Sequence, residues 1–201
     1  MLVAGLTGGI GSGKTTFAAL LAERGARIID ADQLGRGALK TGEPAWRAVV
    51  DEFGDEILTP SMEVDRKRLA EIVFNDKVRL AALNSIVHPV ILKGIADELD
   101  RFRTTDEIVV LDAALIVEFG LTDILDLIVV VTAPERARRD RLSEQRGMTH
   151  EEITARMGAQ ASEQDLVAKA GIIVTNDGSL DALTSEADRV WAELERRRRA
   201  S

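Results

Sequence analysis

A glycine-rich segment near the start of the chain, GLTGGIGSGKTT at residues 5–16, carries the residue types that bind a triphosphate. Its spacing, Gly8-x-x-x-x-Gly13-Lys14-Thr15, matches the phosphate-binding P-loop pattern at every position. Glycines let backbone N–H groups approach phosphate oxygens, and the N-terminus of a following helix favours the same anion. A flexible glycine turn is the alternative, but it requires neither the lysine nor the threonine. The motif therefore predicts a nucleoside triphosphate site.

The side chains at the end of this motif have distinct expected roles. Lys14 is expected to reach the β- and γ-phosphates of the nucleotide, and the Thr15 hydroxyl is expected to help hold Mg²⁺. The residues predicted to contact the nucleotide are Gly9, Gly11, Ser12, Gly13, Lys14, Thr15 and Thr16.

Acidic residues follow two of the predicted strands, where ligands of open α/β sheets bind. Asp112 follows the apolar run 108–111, which is the form of a Walker B aspartate that supports Mg²⁺. Asp30 and Asp32 follow another apolar run, and an extended backbone would point both carboxylates the same way. Asp32 is predicted to orient the incoming hydroxyl and to take its proton. Helix capping is the alternative for each aspartate.

His88 lies directly before Pro89 in the segment LNSIVHP at residues 83–89. Because proline disfavours the helical conformation in the residue before it, the sequence predicts an extended His88 and a helix whose first position is Pro89. The imidazole could contact a phosphate or ribose of a substrate, and a structural cap is the alternative.

Five short apolar runs, continuous rather than alternating, predict strands buried on both faces of a parallel sheet. Helical stretches between them indicate the α/β class with right-handed crossovers. The predicted strands are 2–6, 27–30, 108–111, 127–131 and 172–175, and the first predicted helix is 16–24.

Two gaps between the strands are too long for one crossover helix. The first predicts an inserted helical domain, with helices near 44–53, 66–74 and 89–102. The second contains Arg136, Arg138, Arg139, Arg141 and Arg146, followed by the capping-box pattern THEE at 149–152, and predicts a mobile flap of two helices. A final helix is predicted over 180–199, and its arginine-rich end at 196–199 is expected to be solvated and frayed.

Composition restricts the classes of function. The chain has 201 residues and no cysteine, so a disulfide or thiolate metal site is excluded. Its net charge of −8 disfavours broad binding to nucleic acid or anionic membranes. We find no apolar run of membrane-spanning length, and the first residues predict a strand rather than a signal sequence. A soluble cytoplasmic protein is therefore expected, and the oligomeric state is left open.

Taken together, these motifs resemble the dephospho-CoA kinase family over most of the chain. The segments that carry the resemblance are GLTGGIGSGKTT, IIDAD at 28–32, VDRKRLAEIVF at 64–74, LNSIVHP, LDAALIVEFG at 111–120, RLSEQRGMT at 141–149 and ARMGAQAS at 155–162. The resemblance implies a P-loop core with a five-stranded parallel sheet (1–35, 106–135 and 171–201), a helical CoA-binding domain (36–105) and a helical lid (136–170).

The resemblance also implies a reaction, the transfer of the ATP γ-phosphate, with Mg²⁺, to the ribose 3′-hydroxyl of dephospho-CoA. It implies Asp32 as the base, and it places Lys14 and Thr15 on ATP–Mg²⁺. The other residues that it implicates are Arg66, His88 and Asp112 on the acceptor side, Arg141 of the lid near the transferred phosphate, and Asn176 beside the adenine.

Three positions depart from the family pattern. The usual D-x-P-L-L-x-E reads DAALIVE at residues 112–118, so Ala114 stands where a proline is usual. Gly171 stands where an aspartate is usual. Gln145 stands where an arginine is expected four residues after Arg141, which leaves open which lid arginine contacts the phosphate.

Two other functions remain as alternatives. A nucleoside or nucleotide kinase shares the loop, the acid after the second strand and an arginine-bearing lid, but would lack the LN…HP segment. A GTP-dependent switch shares the loop, but the chain lacks the Asn-Lys-x-Asp pattern that reads guanine.

Overall fold

The computed structural model describes residues 1–74, 76–114, 116 and 120–200. The chain forms two compact units. We call Met1–Asp30 with Leu99–Ser201 the sheet unit, and Ala31–Glu98 the helical unit. The predicted three-part division, with a separate lid at residues 136–170, stays a prediction.

The sheet unit contains five parallel strands in the order β2-β3-β1-β4-β5. They are β1 Leu2–Thr7, β2 Arg27–Asp30, β3 Ile108–Asp112, β4 Leu127–Thr132 and β5 Ile172–Thr175. Every residue of β1 and β3 is buried, as predicted, whereas β5 alternates between buried and exposed positions and β2 is also partly exposed. The prediction of burial on both faces is wrong for these two strands because each lies at an edge of the sheet.

Helices of the sheet unit cover the strands and form the core with them. These helices are α1 Lys14–Glu23, α6 Glu135–Arg146, α7 His150–Gly158, α8 Glu163–Ala168 and α9 Leu180–Arg198. Phe17 and Leu21 of α1 and Val190 and Leu194 of α9 belong to one buried apolar cluster with the strands. The helix α1 begins two residues before its predicted start, directly after the left-handed Gly13.

The predicted capping box begins α7. The Thr149 side chain accepts a hydrogen bond from Glu152 N at 3.2 Å, and the Glu152 carboxylate accepts one from Thr149 N at 2.9 Å. The segment contains one helix more than predicted, because Ser162 caps α8 by accepting from Asp165 N at 3.1 Å.

The arginine-rich end of α9 is helical to Arg198 instead of frayed, whereas the predicted solvation is confirmed for Arg196 and Arg199, whose side chains are 68% and 74% exposed. The helix continues to Arg198, whose Nη1 donates to Asp106 O at 2.8 Å. Arg196 and Glu193 form an ion pair at 2.6 Å on the same helix face. Such pairs three or four residues apart stabilise the last turns.

Over its described residues, the helical unit has four α-helices, a 3₁₀ helix at Asp55–Ile57 and a short antiparallel bridge between Leu58 and Val64. The helices are α2 Ala31–Ala38, α3 Pro44–Phe53, α4 Arg66–Phe74 and α5 Lys77–Asp100. Val49 of α3 and Ile95 of α5 are among its buried apolar side chains. The predicted bounds of α3 and α4 are confirmed.

The prediction that a helix begins at Pro89 is wrong, because α5 runs through it from Lys77 to Asp100. Proline removes one intrahelical hydrogen bond, which leaves the carbonyl of Ser85 without its usual partner. Both Pro89 and Ser85 are exposed, so water can bind this carbonyl.

By length and composition alone, α5 qualifies as a helix that could cross a membrane, contrary to the expectation from the sequence. These two criteria are weak indicators of a membrane span. Within α5, Lys93 and Asp97 form an exposed ion pair at 2.5 Å. The helix belongs to the helical unit as far as Glu98.

Candidate active site

The P-loop connects β1 to α1 and has the backbone geometry of an anion-binding site. Gly13 has φ +94° and directly precedes α1. The N–H groups of Lys14, Thr15 and Thr16 therefore belong to the first helical turn, where backbone donors lack intrahelical acceptors. The side chains of Thr15 and Thr16 are exposed. The local structure thus supports the predicted phosphate contacts, which stay predictions.

Asn176 fixes the loop from the end of β5. Its Nδ2 donates to Ser12 O at 2.8 Å, and its own backbone N–H donates to Thr132 O at 2.8 Å. A Cβ on Gly13 would collide with the Asn176 amide, so this close contact requires glycine. Asn176 is only 8% exposed. The structure thus gives Asn176 a role in holding the loop, and its contact with adenine stays a prediction.

Arg141 of α6 lies against the carbonyl side of the loop. Its Nη1 donates to Gly11 O at 3.3 Å and to Ser12 O at 3.4 Å, and its Nη2 donates to Asn176 O at 3.1 Å. The structure therefore brings together the predicted lid residue, the loop and Asn176. The predicted contact of Arg141 with the transferred phosphate stays a prediction.

Lys14 and Asp112 form an ion pair at the carboxyl ends of the strands. Asp112, the last residue of β3, is 5% exposed and lies in register with Leu6 of β1 and Asp30 of β2. Parallel strands bring their ends to one sheet edge, which explains how residues distant in sequence meet beside the loop. The Walker B interpretation of Asp112 gains support from this contact.

Asp32 does not lie in an extended segment, so that part of the prediction is wrong. It belongs to the first turn of α2, which begins directly after Asp30, and it is exposed. The two carboxylates therefore do not share one extended segment that would point them the same way. Helix capping remains an alternative for Asp30, and the role of Asp32 as base stays a prediction.

Arg66 has a second arginine beside it in the helical unit. Its Nη2 donates to Arg36 O at 3.2 Å. Partial desolvation of this otherwise exposed side chain, and then the charge of Arg36, lower the pKa of Arg66. Two neighbouring guanidinium groups favour an anionic ligand. Sequence reasoning missed Arg36, although its place four residues after Asp32, on the same face of a helix, was a usable signal.

His88 is half-buried and helical, which corrects its predicted extended conformation. Burial lowers its pKa below the usual 6.5. The imidazole is therefore neutral at pH 7, and it would contact a substrate by hydrogen bonds rather than by charge.

The three departures have different structural settings. At Gly171 a Cβ would collide with the Leu127 side chain, so an aspartate there would require Leu127 to move. Gln145 is exposed on α6. Ala114 O accepts a hydrogen bond from Thr7 Oγ1 at 3.4 Å, whereas positions 115 and 117–119 of the same motif lie outside the described residues.

Sequence reasoning also missed two residues that contact the loop. Gln160, which follows α7, accepts a hydrogen bond from Ile10 N at 2.8 Å through Oε1. Arg138 of α6 lies against Gly9 and Gly11. No spacing in the sequence distinguishes Arg138 from its neighbouring arginines, because only the packing of α6 selects it.

Comparison with solved structures confirms the predicted fold class. A structure from Thermus thermophilus has a TM-score of 0.80 and 34% sequence identity, covering 96% of this chain and 97% of that one. A dephospho-CoA kinase from Campylobacter jejuni has a TM-score of 0.71 at 24% identity, with 96% of each chain covered. A shikimate kinase from Acinetobacter baumannii has a TM-score of 0.57 at 15% identity, covering 98% of this chain and 94% of that one. The last two likenesses concern the fold alone.

Sequence comparison gives the family. The chain is 45% identical to a dephospho-CoA kinase of Thermobifida fusca, covering 98% of both chains, and 43% identical to one of Streptomyces avermitilis, covering 96% of this chain and 94% of that one. The family model described as dephospho-CoA kinase matches residues 2–182, which include the P-loop, the helical unit and the arginine-bearing α6. With the P-loop geometry and the full-length likeness in agreement, this chain belongs to the dephospho-CoA kinase family.

Proposed function

We propose that this protein transfers the γ-phosphate of ATP to the ribose 3′-hydroxyl of dephospho-CoA, which yields CoA and ADP. The observation that carries the proposal is the family match over residues 2–182, because it includes the helical unit as well as the P-loop. A nucleotide kinase would share the P-loop but not the LN…HP segment, which lies in α5. This reaction is the last step of coenzyme A synthesis, and we expect it to occur in the cytoplasm.

ATP would bind with its phosphates on the P-loop amides. Lys14 would exchange its contact with Asp112 for oxygens of the β- and γ-phosphates, since phosphate carries more negative charge than one carboxylate. This exchange places a cation where negative charge develops during transfer. Backbone N–H groups at the start of α1 would orient the same phosphates.

Thr15 and Asp112 fit a site for Mg²⁺, because both offer the oxygen atoms that this ion prefers. Among the described residues no three His, Cys, Asp or Glu side chains form a metal cluster. Protein groups would therefore supply few of the ligands, as is usual for Mg²⁺ held together with nucleotide phosphates and water. When bound, the ion neutralises charge on the β- and γ-phosphate oxygens.

The acceptor would be held by the helical unit, with Asp32 as the base for its 3′-hydroxyl. An exposed carboxylate on the first turn of α2 is accessible to such a hydroxyl. Arg66 and Arg36 would bind phosphate groups of dephospho-CoA, and neutral His88 would hydrogen-bond to its ribose or phosphate. The proposed domains are the core (1–35, 106–135 and 171–201), the acceptor domain (36–105) and the lid (136–170).

The test measures ADP release from ATP and Mg²⁺ with dephospho-CoA, adenosine or AMP as the acceptor. We expect rapid release with dephospho-CoA alone, because binding energy from its remote phosphate and pantetheine groups orients the reacting hydroxyl. Mass spectrometry should then identify CoA as the product. If AMP were the best acceptor, the protein would be a nucleotide kinase. Tight GTP binding without stimulation by any acceptor would instead indicate a switch.

A further inference from the structure

A side chain from the connection between α7 and α8 is bound to the P-loop. Gln160 lies in this connection, after α7 ends at Gly158 and before α8 begins at Glu163. Its Oε1 accepts a hydrogen bond from Ile10 N at 2.8 Å, although the two residues are 150 positions apart. Over the part of the chain that the structure describes, no other side chain hydrogen-bonds to residues 8–10. Gln160 therefore attaches this part of the loop to the rest of the sheet unit.

The connection that carries Gln160 is itself held on both sides. Ile153 of α7 and Leu166 of α8 are each 3% exposed, so both helices bury an apolar side chain in the sheet unit. Ser162 caps α8 two residues after Gln160. A side chain is positioned accurately when packing and hydrogen bonds fix the segment that carries it. The surroundings of Gln160 meet this condition.

Other groups hold the second part of the P-loop, residues 11–16. Asn176 Nδ2 donates to Ser12 O at 2.8 Å, and Arg141 Nη2 donates to Asn176 O at 3.1 Å. This part also contains Lys14 and the backbone N–H groups at the start of α1, which are the groups expected to bind most of the phosphate charge of a nucleotide. Loss of the contact in residues 8–10 should therefore leave these groups in place.

The hydrogen bond to Ile10 is compatible with a bound nucleotide. Ile10 is not among the residues predicted to contact the nucleotide, whereas Gly9 before it and Gly11 after it are. Glycine has a wide range of backbone conformations, and Gly11 adopts a left-handed one with φ +79°. Holding the N–H of the residue between two glycines restricts where both of them lie. The contact can thus position two predicted phosphate-binding residues without occupying either of them.

We propose that Gln160 is a positioning residue for phosphoryl transfer. By holding Ile10 N–H it fixes Gly9 and Gly11, which we expect to adjoin the terminal phosphate because the start of α1 holds the inner ones. A displacement of about 1 Å near the reacting atoms can lower the rate by about 100-fold. This role rests on the proposed use of ATP as the donor, but not on the identity of the acceptor.

The experiment compares kcat with the Kd for Mg–ATP in Gln160→Met, which keeps the length of the side chain but offers only a weak acceptor. We expect kcat to fall about tenfold or more. The Kd, measured by calorimetry without an acceptor, should change less than about threefold because the second part of the loop is intact. Gln164→Met makes the same change at an exposed position of α8 and should leave both values near those of the wild type.

Ile10→Pro breaks the same hydrogen bond from the other side, because proline has no backbone N–H. In a double-mutant cycle, Gln160→Met should lower kcat no further once Ile10 is replaced by proline. Circular dichroism establishes whether each variant folds. Since both variants remove one bond, either of them that folds decides by its change in kcat relative to its change in Kd.

An unchanged kcat in folded Gln160→Met would overturn the proposal. Equal losses of kcat and ATP affinity would overturn it as well, since they indicate general damage to the loop, and so would additive effects in the cycle. The kcat is measured with the acceptor that most stimulates ADP release by the wild type, or as transfer to water if none does. A failure of dephospho-CoA as the acceptor therefore appears in the wild type and leaves the comparison between variants intact.

Discussion

The groups that surround the P-loop in the sheet unit are buried and bound to one another, whereas the predicted acceptor residues of the helical unit are exposed or half-buried. Asn176 holds Ser12, and Lys14 is paired with Asp112. Asp32 and Arg66, by contrast, are exposed on their helices. The predicted phosphate site is thus held in place by contacts within the protein, which is the condition for strong electrostatic stabilisation.

Substitutions in the two units should therefore affect different properties of the protein. Changes at the P-loop should affect nucleotide binding, catalysis and, where backbone contacts are involved, stability. Changes at the exposed acceptor residues should affect catalysis with little effect on folding, because surface substitutions usually change stability by less than about 0.5 kcal/mol.

The largest effect is expected for Lys14→Ala. Transfer should fall by about 10³-fold or more and ATP binding should weaken, because the variant removes the cation that the loop offers to the β- and γ-phosphates. Steady-state ADP release and ATP calorimetry measure these effects. Lys169→Ala, at an exposed position of the same unit, is the matched control. Retained transfer in Lys14→Ala would mean that the P-loop is not the catalytic nucleotide site.

Asp32→Asn should lower kcat by about 10²-fold while the melting temperature and the Kd for ATP stay near those of the wild type. The amide keeps the shape of the side chain but is a poor proton acceptor. Asp97→Asn removes an exposed carboxylate of the helical unit and should leave kcat unchanged. Near-normal turnover in Asp32→Asn would remove its assignment as the base.

Gly13→Ala should destabilise the sheet unit by about 1–3 kcal/mol and weaken ATP binding. The added Cβ is strained at φ +94° and collides with the Asn176 amide, so the hydrogen bond to Ser12 is lost. Urea unfolding measures the change in free energy. In Gly158→Ala the Cβ meets no atom within 4 Å, so this control should remain as stable as the wild type. Equal stability of the two variants would contradict the close contact at Gly13.

The smallest expected effect is the contribution of His88 to the pH dependence of folding stability. Because its folded-state pKa is lowered below 6.5, the unfolded chain takes up a proton first as the pH falls. The contribution of His88 is therefore fully present above pH 6.5 and is lost as the pH falls through 6.5 toward the lower folded-state pKa.

His88→Gln should accordingly flatten the acid side of the melting-temperature profile between pH 7.5 and 5, by no more than about 2 °C since the side chain is half-exposed. His150→Gln removes the other of the two histidines and is the matched control. A steeper profile in His88→Gln than in the wild type would show that the sign of the pKa shift is wrong.

Short-range pattern was sufficient to predict much of this protein. The P-loop spacing, the five strands and the Thr149 capping box depend on residues close together in the chain, so periodicity and spacing predict them directly. The Walker B-like Asp112 was predictable for the same reason, because an acid after an apolar run indicates a strand end.

Other features were decided only by the tertiary structure. The bond from Asn176 to Ser12 joins residues 164 positions apart, and the contact of Arg138 with Gly9 depends on how α6 packs on the loop. The helical course of α5 through Pro89 also contradicts the local preference, since exposure to water makes the missing hydrogen bond tolerable. Sequence alone determined where the phosphate loop lies and which sheet carries it. Long-range packing decided which side chains meet around the loop, because the fold and not the spacing along the chain sets which residues are neighbours in space.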